Sequence, residues 1–87
     1  MSEKELRKPS KQITKALAEN IRAIRRERNI SQEELAELCG LHRTYVGFVE
    51  RGERNVTLSS LEVLSKALGV SVPSLLTPGA HDRKKRD

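Results

Sequence analysis

The sequence predicts an all-α protein of five short helices, and three observations lead there. Apolar residues recur at spacings of three and four rather than two, the period of a helix face. Serines and threonines stand where these runs begin and glycines where they stop. The apolar set is Leu, Val, Ile and Ala with only Tyr45 and Phe48 as aromatics, which suits a compact helical core of thin side chains. At 87 residues the chain has length for one small domain and none for a catalytic cleft between two lobes.

Residues 1–9 are polar and charged and end in Pro9, which disfavours helix in the residue before it, so they read as a disordered lead-in. The first helix begins at Lys11. Ile13, Leu17, Ile21 and Ile24 follow at spacings of four, four and three, with Ala16 and Ala23 beside them, while Lys15, Glu19, Arg22 and Arg26 take the other face. Ser31 opens the second helix: its hydroxyl can accept from exposed N–H groups, and Glu34 can reach back to complete a capping box. Leu35, Ala36, Leu38 and Cys39 are its expected buried side, and Gly40 ends it at a positive φ. The third helix runs from about Arg43 to Arg51 and stops at Gly52. Thr57 caps the fourth, in which Leu58, Leu61, Leu64 and Leu68 repeat before Gly69. Ser71 and Pro73 open a short fifth helix over residues 72–76, because proline is tolerated in a first turn. The domain thus spans residues 10–78, and residues 79–87 read as a disordered basic tail.

Charge is distributed unevenly. The net charge is +5, yet residues 1–29 carry nine Lys/Arg against four acids, residues 30–56 carry three against five, and residues 79–87 carry four against two. Such a pattern suggests ends that attract an anionic partner and a middle that selects it. The lone Cys39 forms no internal disulfide, and no apolar run reaches the ~18 residues of a membrane helix, so a soluble, cytoplasmic protein without membrane contact is expected. His42 and His81 lie far apart with no Cys or carboxylate at metal-ligand spacing, which leaves no metal site. No Ser/His/Asp set, phosphate-cradling glycine loop or carboxylate pair supports catalysis, and no cofactor or small-molecule ligand is expected.

The segment over residues 32–51 satisfies each constraint of two helices crossing at a tight turn. Ala36 stands where a larger side chain would collide with the crossing helix, and Gly40 where the chain reverses. Leu35, Cys39, Leu41, Val46 and Val49 occupy the sites that must be apolar to lock the crossing. The run SQEELAELCGLHRTYVGFVERGERNVTLSSLEVLSKALGVS resembles the phage repressor and Cro type of helix-turn-helix domain over about residues 11–76. Within it, HRTYV, the ERGERN turn and SLEVLSKAL are similar to the controller proteins of restriction-modification systems, small dimeric regulators.

The resemblance implies a lambda-repressor-like domain that regulates transcription by binding double-stranded DNA, with the third helix in the major groove. Outward positions on that helix are then His42, Arg43, Thr44, Gly47, Phe48 and Arg51. Arg43 is the first candidate for base reading, since its fork can donate two hydrogen bonds to guanine; Thr44 can offer a hydroxyl or methyl, and Gly47 would let the helix lie close. Phe48 either meets a thymine methyl or folds back under the loop over residues 53–55. Tyr45 either packs its ring on the core edge while its hydroxyl reaches a phosphate, or has a purely structural role. Backbone contacts are expected from Gln32 at the start of the second helix, Arg51, Arg54, Asn55, Ser59 and Ser60, with longer-range attraction from Lys11 and Lys15.

The resemblance also implies an ion pair between Arg25 and Glu50 and a homodimer on a palindromic operator. Val63, Val72, Leu75 and Leu76 are the candidate dimer surface, the alternative being that the last helix simply packs on the first. The alternative within regulation is an antitoxin or prophage repressor, and a module of the same fold that binds protein rather than DNA is the rival of a different class. Arg43, Thr44 and Gln32 argue against that rival.

Overall fold

The computed structural model describes residues 8–81, and most of the lead-in and basic tail, residues 1–7 and 82–87, lies outside the described residues. Within that stretch the chain forms α1 (Lys11–Glu27), α2 (Gln32–Cys39), α3 (Arg43–Glu50), α4 (Leu58–Leu68) and α5 (Val72–Leu76), with no strand among the described residues.

Four helices start on a hydroxyl. Ser10, Ser31, Thr57 and Ser71 each accept from the backbone N–H three residues on, offsetting donors that have no partner inside a first helical turn. At Ser31 the bond is reciprocal: Glu34 N donates to Ser31 Oγ at 3.0 Å and Ser31 N donates to Glu34 Oε1 at 2.7 Å. Gly40 ends α2 at φ 69°, a left-handed conformation that costs a residue with a Cβ roughly 1–2 kcal/mol.

Helix α1 is the spine, packing against α3 and α5, while α2 packs against α3 and α4. Its Leu17, Ile21 and Ile24 meet Leu35 and Ala36 of α2, Val46 and Val49 of α3, Leu61, Leu64 and Leu68 of α4 and Leu75 of α5 in one core. Fully burying a side chain of this size contributes roughly 1.5–3 kcal/mol, so this single cluster supplies the main drive for closing the five helices.

Several expectations change. Leu38 is 64% exposed rather than buried. Helix α2 meets its neighbours along Leu35, Ala36 and Cys39, and position 38 lies about 100° around the helix from that face. Leu58, in the open first turn of α4, is 79% exposed for want of an overlying element. Leu75 is completely buried, so it belongs to the core and not to a dimer surface; Val72 and Leu76 stay half-buried beside it, as does Val63 on α4. Arg22 is not a solvent-face residue, since its guanidinium is half-buried and donates to the Glu50 carbonyl. The chain also keeps its fold past residue 78. Residues 78–81 make a turn in which Ala80 N donates to Thr77 O at 3.1 Å and the His81 ring lies 3.0 Å from Ser74 Oγ.

Candidate nucleic-acid interface

The α2–α3 unit is closed by backbone bonds. Gly40 N donates to Glu37 O at 3.2 Å and Leu41 N to Ala36 O at 2.9 Å, which turns the chain sharply between the helices. Val46 and Val49 then fix one side of α3 in the core. The start of α3 is free: His42 caps it in an extended conformation without a side-chain bond, and His42, Arg43 and Thr44 are exposed. A short helix anchored along one face therefore presents an arginine and a threonine at its unobstructed N-terminal end, the end that meets base edges when a helix enters a major groove.

Gly47 does not belong to that outward set. It is buried, and a Cβ placed on it would lie 3.3 Å from Nη1 of Arg51 and 3.8 Å from Oε1 of Gln32. Two side chains fold over the glycine, and it cannot offer close approach to a ligand while they do. Arg51 is held there by Glu53, whose Oε1 accepts from Arg51 Nε at 3.2 Å. The guanidinium carbons of Arg51 and Arg54 also lie 5.0 and 4.6 Å from the centroid of the Phe48 ring. Phe48 is half-buried between them and the domain.

A hydroxyl cluster surrounds the start of α4. Tyr45 Oη donates to Ser60 Oγ at 3.4 Å, Thr57 Oγ1 donates to Ser60 Oγ at 3.2 Å, and Thr57 Oγ1 lies 2.9 Å from Ser59 Oγ. The Tyr45 ring packs against the core while its hydroxyl bonds within the protein, at the α4 terminus. Arg54, Asn55 and Ser59 are exposed beside this terminus. Free N–H groups, hydroxyls and the positive end of an eleven-residue helix make this corner attractive to an anion.

Behind the surface sits a buried carboxylate. Glu50 is only 2% exposed, and its oxygens accept from Arg25 Nε at 2.6 Å, Arg25 Nη2 at 3.1 Å and Gln32 Nε2 at 3.0 Å. The remaining Arg25 nitrogen donates to Ile30 O at 2.9 Å. Gln32 is therefore not a free amide waiting for a phosphate. Its Nε2 donates to Glu50 Oε1, and position 32 also supplies an anion site with the open first turn of α2.

Two contributors went unread in the sequence. Glu53 sets a carboxylate on the Arg51 guanidinium, a contact that depends on the rotamers of two exposed side chains. Asn20 is 2% exposed, and its Nδ2 donates to the carbonyls of Leu75 at 2.8 Å, Thr77 at 2.9 Å and Ser74 at 3.3 Å, tying the end of α5 to α1. Its signal was a polar residue inside the apolar stripe, between Leu17 and Ile21. Cys39 is half-buried with Sγ 3.7 Å from Val63 O, and burial raises its thiol pKa, as expected of a packing residue. Among the described residues no three His, Cys, Asp or Glu gather as metal ligands, and no helix is long and apolar enough to cross a membrane.

The comparisons with known proteins agree with this geometry. The helix-turn-helix family profile matches residues 21–75. The control protein C.SmaI of Serratia marcescens is 65% identical over 65 residues, covering 75% of this chain and 77% of that protein. A crystal structure of a hypothetical transcription factor from Neisseria superposes with a TM-score of 0.76 at 43% identity, covering 92% of this chain and 93% of the other. The restriction-modification controller protein C.Esp1396I, solved as a tetramer on its natural 35-base-pair operator, superposes with a TM-score of 0.66 at 38% identity, covering 72% of this chain and 83% of the other. Structures of that protein also include alanine variants at three consecutive residues, an arginine, a threonine and a tyrosine.

Proposed function

This chain belongs to the helix-turn-helix family of transcriptional regulators, with restriction-modification control proteins among its relatives, and from that premise we propose that it binds a palindromic DNA operator as a homodimer and controls restriction-modification genes. The observation that carries the reading is the exposed Arg43–Thr44 pair at the free end of a helix whose opposite side is locked into the core by Val46 and Val49. Arg43 reads guanine through O6 and N7, a contact worth about 1–3 kcal/mol of discrimination, and Thr44 reads a neighbouring base. The consecutive Arg43, Thr44 and Tyr45 repeat the residue types of the three positions varied in C.Esp1396I.

The first turns of α2 and α4 flank this pair. The start of α2 at Gln32 and the α4 corner of Tyr45, Asn55, Ser59 and Ser60 hold phosphates on either side, together with Arg51 and Arg54, and so set the register of α3 in the groove. Val63, Val72 and Leu76 form the homodimer surface, which places two α3 helices about 34–36 Å apart, one turn of DNA. The protein works in the cytoplasm on double-stranded DNA, without catalysis, cofactor or small-molecule ligand.

Selection from a random duplex library at near-physiological salt, with the mass of the bound species recorded, tests the proposal. Enrichment of a palindrome by a dimer supports it. Retention without enrichment, or no retention, contradicts it and favours a protein-binding module of the same fold.

A further inference from the structure

Phe48 lies on the side of α3 from which a ring could reach a base, yet two guanidinium groups already use that ring. Arg51 Cζ is 5.0 Å and Arg54 Cζ 4.6 Å from its centroid, both inside the ~6 Å range where a cation is drawn to the ring's electron-rich face. The backbone reinforces the arrangement, because Glu53 N donates to Phe48 O at 2.9 Å and so ties the turn that carries Glu53 and Arg54 to the ring-bearing residue. Glu53 Oε1 accepts from Arg51 Nε at 3.2 Å, and the missing side chain of Gly47 leaves the slot over which Arg51 Nη1 lies. Arg51 is otherwise a long surface side chain with 54% of its area exposed. An unrestrained arginine of that kind loses its rotamer freedom on gripping a phosphate, and two neighbouring cations repel each other. A shared ring and one carboxylate reduce both costs before any ligand arrives.

We propose that Phe48 is a positioning residue, whose ring, with Glu53 and the Gly47 slot, holds Arg51 and Arg54 ready for DNA phosphates and reads no base itself. The inference rests on the DNA-binding reading and deepens it. A base-reading phenylalanine would alter sequence preference; a positioning one alters affinity for every duplex alike, because phosphate contacts carry no sequence information.

The test compares Phe48→Leu, Phe48→Met and Phe48→Tyr with the unaltered protein on a selected duplex and a scrambled one across a range of salt. The Leu and Met variants are expected to lose about 5- to 20-fold on both duplexes, with an unchanged ratio between them. The slope of log affinity against log salt should become shallower by about 1–2, as when one or two phosphate contacts are released. The Tyr variant, which keeps the ring face, should restore both values. Thermal unfolding screens each variant for folding, and the DNA-free protein supplies an independent reading: the Arg51 and Arg54 δ-protons should show upfield ring-current shifts that vanish in the Leu and Met variants. A changed ratio between duplexes, an unchanged salt slope, or absent ring-current shifts would overturn the proposal. If the unaltered protein binds no duplex while the ring-current shifts are present, the DNA-binding reading itself has failed and the positioning role falls with it.

Discussion

Arg25 and Glu50, on helices α1 and α3, are joined by two parallel hydrogen bonds, Nε to Oε2 at 2.6 Å and Nη2 to Oε1 at 3.1 Å. The carboxylate is 2% exposed and the arginine 13%, so neither charge has bulk water to fall back on. Arg25→Ala would leave a buried carboxylate served only by Gln32, and the expected cost is about 3–5 kcal/mol in denaturant unfolding. The double variant Arg25→Met with Glu50→Leu removes both charges together and should regain most of that loss. A double variant as unstable as the single one would show that the pair contributes more than its own desolvation cost.

Asn20 makes a second buried polar junction, of a different kind. Its amide donates to three carbonyls at the end of α5. Asn20→Ala should destabilise by about 1–3 kcal/mol. Asn20→Asp should be worse at neutral pH, since a carboxylate would face carbonyl oxygens it cannot satisfy. Hydrogen exchange over residues 72–77 should accelerate before that of α2 and α3, and uniform acceleration would count against a local anchoring role.

The two glycines of the reading unit should respond oppositely to alanine. At Gly40 nothing lies within 4 Å of the added Cβ, but φ is +69°, so Gly40→Ala should cost roughly 1–2 kcal/mol through backbone strain alone. At Gly47 the backbone is helical, where alanine is favoured by about 0.8–1 kcal/mol, and the only tight neighbour is the movable end of Arg51 at 3.3 Å. Gly47→Ala should therefore raise the melting temperature while displacing Arg51 and weakening binding to any duplex. Thermal unfolding paired with a binding isotherm separates the two effects.

Local signals made the helices legible. Hydroxyl caps at Ser31, Thr57 and Ser71 and the stops at Gly40 and Gly69 are one-residue features with one-residue consequences, and helix bounds follow from them almost to the residue. Burial was harder where a short helix has two neighbours: Leu38 and Leu58 fit an apolar period yet face solvent, because period alone does not say how wide an arc the neighbours cover. Leu75 shows the reverse, since a leucine on a terminal helix reads equally as anchor or interface until Asn20 is seen to dock that helix. The pairing of Arg25 with Glu50 came from resemblance and not from spacing, for no local rule links residues twenty-five apart. Among the site residues, exposure of Arg43 and Thr44 follows from the burial of Val46 and Val49. The seat of Arg51 on Phe48, Glu53 and Gly47 depends on rotamers and was not readable from residue types.

The central claim is that Arg43 reads sequence while the surrounding contacts supply general attraction. The most direct measurement is the ratio of affinities for a selected and a scrambled duplex, at fixed salt, for the unaltered protein and Arg43→Ala. The account predicts a ratio on the order of 10³ or more for the unaltered protein. In Arg43→Ala that preference should collapse at the guanine position while salt-sensitive binding to scrambled DNA survives. Equal loss on both duplexes would make Arg43 a phosphate contact and contradict the account.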